Sequence, residues 1–220
     1  MVHVEAYLLL VDNYIPDLEE RRAAFSAYQE VPSVKLKADF CFKYMDAIQK
    51  IERIETCIEG LFFFGSFAYV YFLRSRGLLP GLASATNWIF RDESMHIVGA
   101  MEVIKSLRVE YPECFDKDMH SRVLNMLDEA IEVEMNFCED CLHDGVTGMS
   151  PKAMREYLMY CADQRLVQMG YEKKFKANNP FPFMVLQDVQ PLTNFFEKRV
   201  TEYQKGFKSS DSSISFEEQF

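Results

Sequence analysis

Glu93 and His96, in the run Arg91-Asp92-Glu93-Ser94-Met95-His96, are the residues whose types and spacing could do chemistry. Three positions apart, they share one face of a helix. A third group, Glu59, sits inside I-E-G-L-F-F-F-G-S-F-A-Y-V-Y-F-L at 58–73. That segment is apolar almost all round, which predicts burial on every side. A lone buried carboxylate is costly unless it is paired or binds a metal. An ion pair with a buried Arg or Lys would satisfy Glu59 alone, and a hydrogen bond would satisfy His96 alone. Taken together, Glu59 and a Glu-x-x-His on the next helix are the elements from which a four-helix bundle builds a two-metal carboxylate site. Oxygen-rich ligation with one imidazole per metal suits iron or manganese rather than structural zinc. His3 stands two residues in from Met1, and the Glu that would complete a second Glu-x-x-His falls before the first residue. The expectation is a chain that starts in the middle of its own site.

Helices must position these groups, and the pattern is helical nearly throughout. The spacing predicts helices over 2–13, over 17–30 with Asp17, Glu19 and Glu20 in the first turn, and over 34–76 with an interruption near 52–56. Gly77-Leu78-Leu79-Pro80-Gly81 reads as a tight connector. Further helices are predicted over 83–108, up to the break at Pro112, and over 117–144. Ser150-Pro151 gives an N-cap followed by Pro at the first helical position, opening a helix to about 169 with Gly170 just past its end. Residues 176–191 are loop-rich, and a last helix covers 192–205. The 206–220 segment, Ser-rich, acidic and aperiodic, predicts a disordered tail that nonetheless carries Phe207, Phe216 and Phe220. No repeat and no strand alternation is visible. The short connector makes 58–76 and 83–108 antiparallel neighbours. Glu59 lies roughly 17 residues before the turn and Glu93 roughly 11 after it, a depth offset of several Å at 1.5 Å per residue. A local bulge or long rotamers must absorb it.

Composition sets outer bounds. At 220 residues, 49% of them apolar and 19 of them Phe, the chain can bury a sizeable core as one domain or a large part of one. A net charge of −10 argues against non-specific nucleic-acid binding. No signal peptide is visible, and no apolar run approaches the ~18 residues of a membrane span, so a reducing cytoplasm fits. Cys138 and Cys141 fall at i,i+3 on a helical pattern and read as ordinary thiols on that helix. His120 and His143 read as surface residues.

At these residues the chain resembles the small, radical-carrying subunit of class I ribonucleotide reductase. The likeness rests on V-H-V-E-A-Y at the start, I-E-G-L-F-F-F-G-S-F, R-G-L-L-P-G-L, R-D-E-S-M-H, N-F-F-E-K-R-V-T-E-Y-Q near the end, and a tail closing on Phe. The resemblance implies an all-α, ferritin-like di-metal carboxylate bundle over 1–205, a C-terminal portion lacking N-terminal helices, and a flexible tail over 206–220. It implies His3, Glu59, Glu93 and His96 as ligands to two irons, or to manganese and iron. Tyr7, one helical turn past His3, matches the tyrosine oxidised to a stable radical. Phe63, Phe67 and Ile89 match its apolar cage, although plain core packing would use the same residues. Asp92 matches the carboxylate that helps relay the electron and proton, and Tyr203 the tyrosine that hands the oxidising equivalent on. Phe216 and Phe220 match the peptide that docks on the large subunit, where ribonucleotides become deoxyribonucleotides. The implied partners are that large subunit and a second copy in a homodimer, with no nucleic acid and no membrane.

The chain departs from this pattern in the ligand set. An earlier carboxylate, the Glu three before His3 and a relay tryptophan would all lie upstream of Met1, leaving four protein ligands where six are expected. Glu5 lies on a different helix face from His3, and Trp88 is in the wrong segment for the relay. Three readings fit such a chain. It is part of a split small subunit completed by a companion N-terminal fragment, or a non-catalytic protein that only binds the large subunit or that companion, or a different di-metal oxidase on the same bundle. Tyr203 and the Phe-ended tail argue against the last.

Overall fold

In the computed structural model the described residues are 2–45, 58–142 and 147–184, with backbone alone at 2–4, 6, 28, 45, 58 and 59. The expected interruption near 52–56, His143, the 192–205 helix, the tail, Tyr203, Phe216 and Phe220 lie outside them. Residues Met1–Gln190 form one compact unit, and Pro191–Phe220, the second, falls wholly outside the described set.

No β-strand occurs among the described residues, as the sequence pattern predicts. The helices are α1 (Val2–Tyr14), α2 (Leu18–Glu30), α3 (Pro32–Met45), a π-helical turn (Ile58–Phe62) leading directly into α4 (Phe63–Ser75), α5 (Pro80–Glu110), α6 (Lys117–Cys141) and α7 (Pro151–Gln168). Local chemistry sets their ends. Asp17 caps α2 by accepting from the Glu19 and Glu20 amides, each at 2.9 Å. Ser150 Oγ accepts from the Ala153 amide at 3.2 Å, with Pro151 at the first helical position.

α4 and α7 both stop in the same way. Gly77 (φ 74°) and Gly170 (φ 83°) take the left-handed conformation after the last turn. The paired bonds Leu78 N→Leu73 O and Gly77 N→Arg74 O, both 2.9 Å, close α4. Tyr171 N→Leu166 O at 2.8 Å and Gly170 N→Val167 O at 3.0 Å close α7. α5 begins earlier than the predicted 83, because Pro80 is pre-set for the first turn and Leu79 turns left-handed (φ 46°) ahead of it.

The core is built on α4 to α7. α4 packs on α5 through Phe90, whose ring meets Phe64 at 5.2 Å and Phe67 at 5.3 Å, and through the Tyr71 hydroxyl, which donates to Asn87 Oδ1 at 2.8 Å. Phe67, Tyr71, Leu127, Ile131, Met135, Leu158 and Leu166 are among the buried side chains. The buried stripe of α5 runs Thr86, Ile89, Glu93, Ile97, Ala100, Ile104. Those are the three- and four-residue steps of a core-facing helix, with one acid inserted among them.

Candidate metal centre

Glu93 occupies a position where the α5 stripe calls for an apolar residue, and it is only 5% exposed. His96, at the edge of the stripe, brings Nδ1 to 3.1 Å from Glu93 Oε2. The two side chains therefore converge, as their spacing predicts. The His96 side chain is 56% exposed, so the pair opens on one flank.

The other two candidate donors belong to other elements. Glu59 stands in the π-helical turn Ile58–Phe62 and His3 in α1, and both side chains lie outside the described residues. The π turn is a local bulge at Glu59, one of the two devices, with long rotamers, by which the sequence could absorb the depth offset. An i→i+5 turn inserts one residue into a helix and locally displaces the residues before it. Among the described residues no group of three or more His, Cys, Asp or Glu side chains could hold a metal. Glu93 and His96 supply an oxygen and an imidazole, the donor chemistry that iron and manganese take.

α1 brings Tyr7 into the field of this carboxylate. Its phenol is pushed above the ordinary tyrosine range, first by burial and then by the Glu93 charge. Tyr7 nevertheless remains 46% exposed. Of the expected cage residues, Phe67 and Ile89 are buried and Phe63 is half-buried. Phe63 and Phe67 stack at 6.0 Å between centroids. Ile89 lies one turn before Glu93 on the buried stripe of α5. Asp92 is held by Arg91, whose Nη2–H donates at 3.1 Å, and the Arg91 guanidinium lies 5.0 Å from the Trp88 ring centroid.

Several polar groups in the interior escaped the sequence reading. Arg165 on α7 is 7% exposed and donates from Nε to the Gly60 carbonyl at 3.2 Å, at the π turn. Glu134 on α6 is fully buried with Lys37 Nζ 2.6 Å from its carboxylate. Burial pushes its pKa up to about 7 against that pairing. Asp163 is fully buried and accepts from the Phe175 and Ala177 amides at 2.9 and 3.1 Å, tying the segment after α7 to the core. Each acid breaks an apolar stripe, and that was the available signal. Their partners lie too far away in sequence for spacing to find. Cys138 is buried and Cys141 exposed on α6, both with free thiols. His120 is half-buried rather than on the surface, stacked on Tyr171 at 4.4 Å because the turn after α7 folds Tyr171 back over it.

The family model of "Ribonucleotide reductase, small chain" matches residues 1–180. The chain belongs to the ribonucleotide reductase small-chain family. Within that family, it is 38% identical over 207 residues to the ribonucleoside-diphosphate reductase small chain of Nicotiana tabacum, covering 93% of this chain and 61% of the relative. The chain thus spans about three-fifths of that relative's length. The fold is similar to the ribonucleotide reductase R2 subunit from Clostridium botulinum, with a TM-score of 0.76 at 19% identity over 84% of this chain and 62% of that one. It is also similar to the ribonucleotide reductase Rnr4 homodimer from Saccharomyces cerevisiae, with a TM-score of 0.66 at 29% identity over 82% and 56%. The architecture is the all-α, ferritin-like bundle of small chains in this family. No helix among the described residues is long and apolar enough to cross a membrane.

Proposed function

We propose that this chain carries the radical-storing half of ribonucleoside-diphosphate reductase, an oxidoreductase activity completed on a separate large subunit. The observation that carries the reading is Glu93, an acid set into the core stripe of α5, in contact with His96 and electrostatically coupled to Tyr7. His3, Glu59, Glu93 and His96 would hold two metals, either two irons or manganese and iron, which would supply oxidising power beside Tyr7.

The chain's own residues govern the proton, the shielding and the onward transfer. The raised Tyr7 pKa keeps the phenol protonated at neutral pH, so its oxidation must release a proton together with the electron. Phe63, Phe67 and Ile89 shield one flank from water. Asp92, oriented by Arg91, serves the relay, Tyr203 passes the oxidising equivalent on, and Phe216 and Phe220 dock on the large subunit. Tyr7 at 46% exposure needs a further surface over it to protect a radical. A second copy in a homodimer, together with a companion fragment that brings the remaining donors, provides that cover. Cys41, Cys114, Cys138 and Cys141 carry thiols outside any disulfide, which suits work in the reducing cytoplasm.

The test is electron paramagnetic resonance after adding iron(II) and oxygen, with metal counted per chain, on the chain alone and with its companion segment. A tyrosyl signal that disappears in Tyr7→Phe supports the reading. Metal uptake with no tyrosyl signal under either condition removes the radical assignment.

A further inference from the structure

We propose that Arg165 is a positioning residue for the candidate metal centre: it locks the π-helical turn Ile58–Phe62 and so sets the direction in which Glu59 projects. The proposal rests on the reading of Glu59 as a metal donor.

A π turn is a costly departure from the α-helix, because the inserted residue disturbs the regular i→i+4 ladder and leaves a carbonyl to be satisfied elsewhere. Here an external donor reaches a carbonyl of the turn. Arg165 is 105 positions away in sequence, and its Nε–H reaches the Gly60 oxygen at 3.2 Å. The guanidinium is fixed by three further features. Nη1–H donates to Gln168 Oε1 at 2.7 Å, the plane lies 4.9 Å from the Phe64 ring centroid, and the residue is 7% exposed. The approach also explains the glycine. A Cβ on Gly60 would sit 2.8 Å from Arg165 Nε and 3.0 Å from its Cδ, so a side chain there would force the arginine to shift. Returning the turn to α register would rotate Glu59 by about 100° relative to α4, one residue's worth of helix. That rotation would change the helix face from which residue 59 departs.

The experiment uses the full chain with its companion segment and three variants: Arg165→Met, Arg165→Lys and Gly60→Ala. Amide hydrogen exchange in the metal-free protein reads the turn, and Mn(II) titration followed by paramagnetic resonance reads the site. Arg165→Met should speed exchange over 60–66 while leaving α6 unchanged, and should weaken Mn(II) binding by about tenfold or more, as loss of an outer support does. Gly60→Ala should reproduce both effects through the opposite partner, which guards against a folding defect peculiar to the arginine variant. Arg165→Lys keeps the charge without the Nε donor and should rescue neither readout. Unchanged exchange over 60–66 would overturn the clamp. Faster exchange with wild-type Mn(II) affinity would reduce Arg165 to a purely structural residue and overturn its positioning role. If the wild-type protein itself binds no Mn(II), the two-metal reading fails first and the positioning role falls with it.

Discussion

Among the described residues three carboxylates are buried, and each is compensated differently. Asp163 accepts two backbone amides, and Glu134 has the Lys37 ammonium at 2.6 Å. Glu93 has, among the described residues, the His96 imidazole at 3.1 Å and the tyrosine of α1 nearby. A buried carboxylate lowers stability unless something positive binds it. A group retained for chemistry and one retained for stability thus respond oppositely to neutralisation. Glu93→Gln keeps the shape and removes the charge, so it should leave the thermal midpoint of the metal-free chain unchanged or raise it, as at other strained functional sites. The same variant should lose about tenfold or more in Mn(II) affinity. Calorimetry and a metal titration on one preparation measure both quantities. A lowered midpoint with undiminished Mn(II) affinity would show Glu93 to be a structural acid.

Between elements, the Lys37–Glu134 pair joins α3 to α6 across the core, with the Cys138 thiol 3.9 Å from the same carboxylate. Burial raises the Glu134 pKa from an ordinary 4.5 to about 7, so between those values the folded chain holds a proton that the unfolded chain has released. Stability must therefore fall as pH climbs through that window and level off above it. Glu134→Gln should flatten this slope in unfolding midpoints taken between pH 5 and pH 8, whereas an equal slope in both proteins would mean the acid ionises normally.

This link was not legible in the sequence, because nothing local marks two residues so far apart as partners. The Arg165–Gly60 contact was hidden for the same reason. Local features were legible: Ser150 caps the helix it was expected to cap and Gly170 closes α7, whereas Asp17, expected in the first turn of α2, is its N-cap. The Glu93–His96 contact came from three-residue spacing on one helix. The depth offset between Glu59 and Glu93 called for a local bulge or long rotamers, and the folded chain has a π turn at Ile58–Phe62 whose Gly60 carbonyl accepts from Arg165 of α7.

At the scale of the whole molecule, the surface of α1 to α3 is unusually apolar. Leu9 is 62% exposed, Tyr14 65%, Phe25 53% and Phe42 65%, in addition to Tyr7 at 46%. Scattered exposed leucines are ordinary, but large apolar side chains recurring along three successive helices are the mark of a surface that is covered in the working assembly. The similar Saccharomyces cerevisiae structure is a homodimer, and the second copy proposed for this chain would supply such a cover. The same cover would protect the oxidised Tyr7, so assembly and radical lifetime should change together. Sedimentation at micromolar concentration should show a dimer or larger species. Introducing charge with Leu9→Lys and Phe42→Lys should shift the chain toward monomer without loss of helical circular dichroism. In the metal-loaded protein the same double variant should shorten the life of any tyrosyl signal, since water reaches a phenol that the partner no longer covers. A wild-type chain that stays monomeric at about 100 μM, well above the dissociation constants of specific interfaces of standard size, would instead leave these helices to a different partner and uncouple radical protection from self-association.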